Sequence, residues 1–492
     1  MSAAEFGTGT VSDDNCRVRS RLIMQGWKEI TDFVLRYDYC CGCGVCAGVC
    51  PQNALEMRFN EYGEYRPYLT GGCVDCGLCS SVCPFVRDNP DEDEVAKEEF
   101  GQLSGARHTP ETGYYVSTYV GYAPDASLRW NSASGGMVTW ILERLLSDKE
   151  IDYAVCVGSH SDSSALFKFK VCGSCDDIRA CSKSCYYPVE ASEVIRHVLR
   201  TPGRYAITAM PCLCKAIRLA QSRDRRLRDR IRYIFGIVCA GHTVSRSFVE
   251  YCCGLIGGNC HQLEKVAFRV KDKSRPASDY GFRFFLKRDL DQVEVRDLFF
   301  SEGPARAWGL RFFTPESCNW CDDIMAETAD IAFMDAWLAP YAKDCSGTNL
   351  MIIRHKSLEN WLRSEKHSAS SIRSIDVEDV IRSQWRGLRI KRNLVRLQAK
   401  DAVDPPRKRI HLCSKLKYGE ISEGRMLRCL LTLSRRTKAY WRDAAGDCAV
   451  FVQRLQPLDE CFREANLQHE RARHVNHLVR GVQSWVRWMK TR

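Results

Sequence analysis

The sequence predicts an α/β fold with α+β insertions, and three observations carry that prediction. From Tyr114 onward, short apolar runs alternate with helical patterns, the order expected of βαβ units and a mostly parallel sheet. Ahead of that region, two runs of four cysteines with identical spacing lie between residues 40 and 83, punctuated by Gly and Pro. Beyond about residue 366 the chain turns Arg-rich and helical to its end.

These textures divide the 492 residues into an N-terminal extension (1–36), a cysteine block (37–87), a linker (88–113), an α/β domain (114–365) and a basic helical C-terminal extension (366–492). A chain of this length fills several domains. The N-terminal extension ends in LIMQGWKEITDFVLRY, whose amphipathic pattern predicts a short helix. The stretch DNPDEDEVAKEEFGQLSGARHTPETG is polar, acidic and without hydrophobic periodicity, which reads as a linker. YYVSTYVGYA, IDYAVCVG, RYAITAMP and IRYIFGIVCAG read as strands, and GMVTWILERLL and CKAIRLAQ as helices. Residues 262–300 read as an antiparallel insertion.

No apolar run approaches the roughly 20 residues that cross a bilayer. The start, MSAAEFGTGTVSDDN, has neither the basic nor the apolar region of a signal peptide. A cytoplasmic protein without a transmembrane segment is therefore expected. In such a setting 28 cysteines, many two residues apart, point to metal ligation rather than disulfides. The formal charge is +11. A four-iron core on four thiolates carries about −2, so three of them would bring the net charge to about +5, and no nucleic-acid partner is expected.

In CCGCGVCAGVCP, Cys40, Cys43, Cys46 and Cys50 stand at C-x2-C-x2-C-x3-C before Pro51; in CVDCGLCSSVCP, Cys73, Cys76, Cys79 and Cys83 repeat it before Pro84. Three cysteines two apart wrap one face of a cubane, and the fourth of each run serves the other cluster. This assigns Cys40, Cys43, Cys46 and Cys83 to one [4Fe–4S] cluster, and Cys73, Cys76, Cys79 and Cys50 to a second. Zinc prefers two pairs across a long loop, so the spacing favours iron–sulfur. Cys41 falls outside the register and reads as a small buried filler. The block resembles bacterial-type two-cluster ferredoxins, which carry electrons without acting on a substrate.

A substrate-level reaction then needs a second site. In RWNSASGGMVTWILERLL, Ser132, Ser134, Gly135 and Gly136 precede a helix, where free N–H groups bind phosphate, though a Ser-Gly turn also simply caps helices. Iron–sulfur relays usually meet a flavin as their one-to-two-electron converter, which makes a flavin the expected ligand. Further along, ESCNWC offers Cys318 and Cys321, half of a tetrahedral site. AITAMPC ends at Cys212 and YIFGIVC at Cys239. Strand C-termini share one edge of a parallel sheet, so both can meet the Cys318/Cys321 loop there.

The order SASGG, KSCYYPV, MPC-x-x-KAIRLA, GIVCAGH, FRVKD, then SC-x-x-C-x-D with AETADIAFMDAW, resembles the beta-subunit family of coenzyme F420 hydrogenases and dehydrogenases over residues 114–365. That family includes F420H2-oxidising subunits, F420-dependent sulfite reductase and 7-hydroxymethyl chlorophyll a reductase. The resemblance implies FAD and a third [4Fe–4S] cluster on Cys212, Cys239, Cys318 and Cys321. Ala209 and Met210 stand where members usually have Gly-Thr, and Met334 and Asp335 near their Gly-Asp. A Gly-Ser-Lys-Tyr element becomes Cys181, Ser182, Lys183 and Ser184. Lys183 then touches a flavin phosphate or an anionic substrate, or is an exposed lysine.

The expected protein is an iron–sulfur flavoprotein oxidoreductase with three [4Fe–4S] clusters and FAD. It exchanges electrons with ferredoxin or coenzyme F420 and acts on F420 or an organic substrate. Its rivals are an electron-transfer subunit feeding a partner enzyme and a zinc-stabilised interaction protein; a homo-oligomer is compatible with either. No pair of residues reads as a catalytic acid and base. His242 and His261 read as structural histidines. Cys172, Cys175, Cys181 and Cys185 suffice by count for a fourth metal site, but their spacing fits no ferredoxin pattern. RGLRIKRNLVRL reads as a solvated helical face, or as a dock for an acidic partner or membrane surface.

Overall fold

The computed structural model describes residues 26–162, 165–288, 292–366, 371–399 and 420–490, with 402, 405, 406 and 409. The N-terminal start and the first residues of LIMQGWKEITDFVLRY lie outside the described residues. The rest of that stretch forms a helical turn, Gly26–Glu29, continuing as a π-helical segment, Ile30–Leu35.

Fifteen strands are described. β1 (Leu55–Phe59) and β2 (Tyr65–Leu69) form a hairpin in the cysteine block, and β3 (Arg107–Thr109) and β4 (Gly113–Tyr115) a second hairpin. The large sheet uses β5 (Ser117–Gly121), β6 (Tyr153–Asp162), β7 (Ala165–Cys172), β8 (Tyr205–Ala209) and β9 (Ile231–Ile237). β10 (Leu263–Val270), β11 (Gly281–Lys287) and β12 (Val293–Phe299) make a separate antiparallel sheet, as the sequence predicts for 262–300. β13 (Ile331–Asp335), β14 (Asn349–Ile353) and β15 (Arg373–Ser374) complete the large one, whose order is β15-β5-β14-β13-β9-β8-β6-β7.

At its centre β13, β9, β8 and β6 are mutually parallel. β5 shares their direction, while β14, β15 and β7 run antiparallel to their neighbours. The C-terminal ends of β5, β8, β9 and β13 therefore open on one edge, which is where ligands bind in sheets of this kind. β14 is buried at all its residues, as a strand covered on both faces requires. Helix Met137–Ser147 covers one face through Met137, Ile141, Leu142 and Leu145. Helix Pro211–Gln221 covers the other through Leu213, Ala216, Ile217 and Ala220. Pro211 sits in its first turn, where the missing N–H costs nothing.

Two expectations are corrected. The segment read as a linker contains helix Glu92–Phe100, opened by an Asp91/Glu94 capping box and packed through buried Val95, Ala96 and Phe100. Its acidic residues are partners, not solvated spacers: Glu92 faces buried Lys215 at 3.4 Å. Nor is the basic C-terminal stretch a solvated face. Helix Val377–Ala399 buries Val380, Leu388, Lys391, Leu394, Val395 and Gln398, a 3.6-residue stripe hidden in the sequence by its polar members. Helices Glu420–Asp443 and Cys448–Lys490 follow as a hairpin around Phe313, Trp441 and Phe451. No helix among the described residues is long and apolar enough to cross a membrane.

Candidate functional site

In the cysteine block, Gly44 and Gly77 start matching helical turns, Val45–Gly48 and Leu78–Ser81, at φ near +78°. Only glycine adopts that backbone at no cost, and each turn lets its run of cysteines curl around one centre. Cys46 lies among Cys40, Cys83 and Cys79, and Cys43 next to Cys46 and Cys83. Cys79 faces Cys73, Cys76 and Cys50. The chain thus groups Cys83 with the first run and Cys50 with the second. Backbone N–H groups of Gly42, Ala54 and Asp75 donate to Cys40, Cys50 and Cys73 Sγ at 3.3–3.4 Å, bonds that stabilise thiolate sulfur. Burial pushes the Cys79 and Cys83 thiols up to about 12. A metal group that demands thiolates must therefore bring its own positive charge.

Cys212 opens helix Pro211–Gln221 directly after β8, and Cys239 follows β9, so both stand on the C-terminal edge of the sheet. Helix Glu316–Trp320 brings Cys318 and Cys321 to the same place: Cys212 has Cys318 as a neighbour, and Cys239 does too. Thr243 N–H donates to Cys318 Sγ at 3.3 Å, and the Asp323 carbonyl lies 3.6 Å from Cys321 Sγ. Lys391 Nζ reaches Cys239 Sγ at 3.4 Å and donates to the Asp323 carbonyl at 2.7 Å. Arg311, equally buried, faces Cys318, Cys239, Glu316 and Cys321 as potential anions. Among the described residues neither cation has a carboxylate at ion-pair distance. Burying two such charges against neutral thiols would be costly, whereas a thiolate-bound metal group offsets them. No three Cys, His, Asp or Glu groups converge on one point among the described residues, as a lone ion would require. Thiolates of a cubane bind separate irons and stand further apart.

Cys41 is half-buried and packs with Cys212 on the cluster of Tyr39 and Trp320, and its thiol lies next to Cys43 and Cys212, between the first cysteine group and the third. Beside it, Tyr39 packs edge-on to Trp320 with centroids 5.7 Å apart. Adjacent Cys40 and Cys41 were the one sequence signal for this junction.

A narrow cleft opens where β5 and β13 end, lined by Ala133, Ser134, Arg269, Lys271, Asp335 and Trp337. Ser132 Oγ is buried, with no hydrogen-bond partner among the described residues. Ser134 Oγ donates to the Thr348 carbonyl at 3.1 Å. Gly135 and Gly136 serve the protein's own packing, since a Cβ at Gly135 would strike Asn349 and Gly121, and one at Gly136 would crowd Ser132 and Ala123. The predicted free helix start is partly used too, because Asn349 Oδ1 accepts from Met137 N–H at 3.2 Å.

Lys183 is not an exposed lysine: its ammonium lies half-buried, 3.4 Å from the Arg269 carbonyl, and burial pulls it down to about 8. Arg269 and Lys271 were missed as site residues, although FRVKD contains both. A bulge between Ala267 and Val270, with Arg269 at φ +59°, turns Arg269 toward the Ala133 carbonyl at 3.0 Å and Asp335 at 2.8 Å. Lys271 donates to the carbonyls of Arg129, Ser134 and Ser346 and so clamps the serine loop. Arg129 and Arg269 pair with Asp344 and Asp335, Lys183 and Lys271 bind backbone carbonyls, and Asp272 and Asp279 also line the cleft, so basic side chains with charged hydrogen-bond donors gather at its mouth.

The remaining sulfur and histidine sites are quieter. Cys172 meets Cys156 and Cys181, while Cys175 and Cys185 face Ser147 and the Tyr187 carbonyl, so the four do not share one centre. His242 is buried against Trp308, held neutral by burial and by the neighbouring Arg311; His261 is exposed.

Residues 118–196 match the family model described as coenzyme F420 hydrogenase/dehydrogenase, beta subunit N-term. Residues 203–378 match that of its C terminus, and residues 39–86 match a 4Fe-4S dicluster domain. The chain is 23% identical over 251 residues to coenzyme F420 hydrogenase subunit beta of Methanothermobacter thermautotrophicus, covering 49% of this chain and 81% of that protein. It is 25% identical over 319 residues to the coenzyme F420-dependent sulfite reductase of Methanocaldococcus jannaschii, covering 63% of this chain and 44% of that protein. It therefore spans less than half the length of the sulfite reductase. A chain of the F420-reducing [NiFe] hydrogenase complex from Methanosarcina barkeri aligns with a TM-score of 0.44 at 16% identity, over 61% of this chain and 98% of that one. With both beta-subunit models matched in order across just over half of its length, the chain belongs to the coenzyme F420 hydrogenase/dehydrogenase beta-subunit family and carries a 4Fe–4S dicluster domain ahead of it.

Proposed function

We propose that this chain is an iron–sulfur flavoprotein oxidoreductase that moves electrons between a two-cluster module and an FAD-bearing cleft. It couples them to two-electron oxidation or reduction of coenzyme F420 or of an organic substrate. One observation carries the reading: Cys41, next to Cys43 in the module, packs on the same Tyr39/Trp320 cluster as Cys212, so the cysteines of the module and those on the sheet edge lie side by side. Cys73, Cys76, Cys79 and Cys50 would hold the outer cluster, Cys40, Cys43, Cys46 and Cys83 the inner one, and Cys212, Cys239, Cys318 and Cys321 the third. Ser132, Ser134 and Lys183, with Arg269, would hold the FAD phosphates, and Lys271 the loop that presents them. Bound clusters supply one-electron transfer, and bound flavin exchanges single electrons for pairs.

Anaerobically prepared protein is expected to hold about twelve irons per chain and one FAD. Reduced F420 should bleach its visible spectrum; bleaching by reduced ferredoxin alone would make ferredoxin the donor. Fewer than about twelve irons would contradict three four-iron clusters.

A subunit role has its own support, since Cys73 and Cys76 are exposed beside exposed Leu69 and Val74, a face suited to receiving electrons from another protein. Sustained substrate reduction by the purified chain alone would exclude a need for a partner enzyme.

Lys183→Met should weaken FAD binding about tenfold to a hundredfold, the worth of one or so charged hydrogen bonds. The pH dependence has a definite sign. With the free ammonium at about 8, affinity is full below that pH, because the proton favoured by a phosphate is already bound. Above it, binding must take up a proton, and affinity should fall by up to tenfold per pH unit. Calorimetry in two buffers of different ionisation heat reads this uptake, and its absence would remove Lys183 from the phosphate site.

A further inference from the structure

The helix Val377–Ala399 almost wholly follows the matched beta-subunit region, which ends at residue 378. It nevertheless reaches the third cysteine group. Lys391 is 2% exposed, and its ammonium lies 3.4 Å from Cys239 Sγ, with Cys321, Cys318 and, beyond ion-pair distance, the Asp323 carboxylate as further potential anions. Arg311 is spoken for differently: it donates to the Gly241 carbonyl and to Asn319 Oδ1, and so braces the loops around the cysteines. Gln398 fixes the register of the helix, donating to the Asn319 carbonyl inside the Cys318–Cys321 turn at 2.9 Å. Among the described residues, the lysine is the cation of this site that reaches a sulfur at hydrogen-bond distance, on a helix locked to the same loop.

A buried ammonium without a carboxylate partner is retained only where it faces compensating negative charge. One electron from a low-potential donor, such as a reduced ferredoxin, takes a four-iron cluster with its four thiolates from about −2 to about −3, with no bond broken and no proton moved. A fixed positive charge at this distance, beside the buried Cys239, favours the more negative state. Hydrogen bonds to sulfur act in the same direction.

We propose that Lys391 is a positioning residue for the third cluster: its ammonium against Cys239 Sγ raises that cluster's reduction potential, so that the C-terminal extension sets how readily the site accepts an electron. The proposal rests on the reading of Cys212, Cys239, Cys318 and Cys321 as one cluster site.

The test is a potentiometric titration of the full-length protein, followed by electron paramagnetic resonance, on wild type and on Lys391→Met, Lys391→Gln and Lys391→Arg. In Lys391→Met the reduced-to-oxidised ratio of the third cluster, read at the wild-type midpoint, is expected to fall about tenfold, about 59 mV for a one-electron couple. Lys391→Gln should fall nearly as far, Lys391→Arg should stay near wild type, and the two clusters of the N-terminal module should not move. An unchanged third midpoint in Lys391→Met or Lys391→Gln, with iron still near twelve, overturns the proposal. So does an equal shift in Lys391→Arg. If the Met and Gln variants both lose the third cluster while Arg keeps it, the charge requirement stands; loss from all three assigns Lys391 to packing and overturns it. Wild type with no third signal refutes the site itself, a separate failure.

Discussion

Cys318→Ala is expected to leave about eight irons per chain instead of about twelve and to disconnect the N-terminal module from the cleft. Cys318 sits where all routes meet: it neighbours Cys212 and Cys239, receives a backbone hydrogen bond from Thr243, and lies within the field of Lys391 and Arg311. Removing it leaves three thiols for four irons, with two buried cations facing a site that has lost its negative charge, which adds a destabilising term to the missing ligand. The module's cysteines are held separately, on turns of their own at Val45–Gly48 and Leu78–Ser81, so its two clusters should assemble as before. Iron analysis, with spectra taken after adding reduced F420, separates the outcomes. Reduction of the module's clusters at the normal rate in this variant would sink the assignment of the third site.

Much of this was readable in advance, for reasons that differ by element. The two C-x2-C-x2-C-x3-C-P runs are local signals, since three ligands within seven residues leave one geometry for the turn between them. Cys212 and Cys239 were reachable because apolar runs AITAM and YIFGIV end at cysteines, and parallel strands must share an edge. What escaped was set by partners far along the chain. Lys391 meets Cys239 across 152 residues, and Cys41 meets Cys212 across a domain, distances at which one sequence carries no periodicity to follow. Helix Glu92–Phe100 is a different failure: Asp91 and Glu94 spell a capping box, but the acidic run around them outweighed it. The helix around Lys391 was misread because charged residues occupy positions that are buried when their partners are in place.

Arg409→Ala is expected to cost about 3–5 kcal/mol of stability, the penalty for uncovering buried carboxylates. The guanidinium is wholly buried and makes paired bonds to Glu327 at 2.6 and 2.9 Å, with Asp322 at 3.2 Å and Asp93 at 2.8 Å. Asp322 and Glu327 are themselves buried, and Asp322 accepts from Arg409 through Oδ2 while its Oδ1 has no hydrogen-bond partner among the described residues. The damage should be local in origin, because Asp322 directly follows Cys321 and Glu327 N–H donates to Asp323 Oδ2 at 3.1 Å. One arginine thus holds the strand of chain that leaves the third cysteine group and ties it to helix Glu92–Phe100 through Asp93. Charge and shape can be told apart. Arg409→Lys keeps the charge but loses the planar fork, so it should recover only part of the stability. Arg409→Met combined with Asp322→Asn and Glu327→Gln removes the charges together and should unfold later than Arg409→Met alone. Denaturant midpoints of these variants, measured on protein with its iron content verified, decide the point: if the triple variant is no more stable than Arg409→Met, the single arginine's effect is lost packing rather than stranded carboxylates.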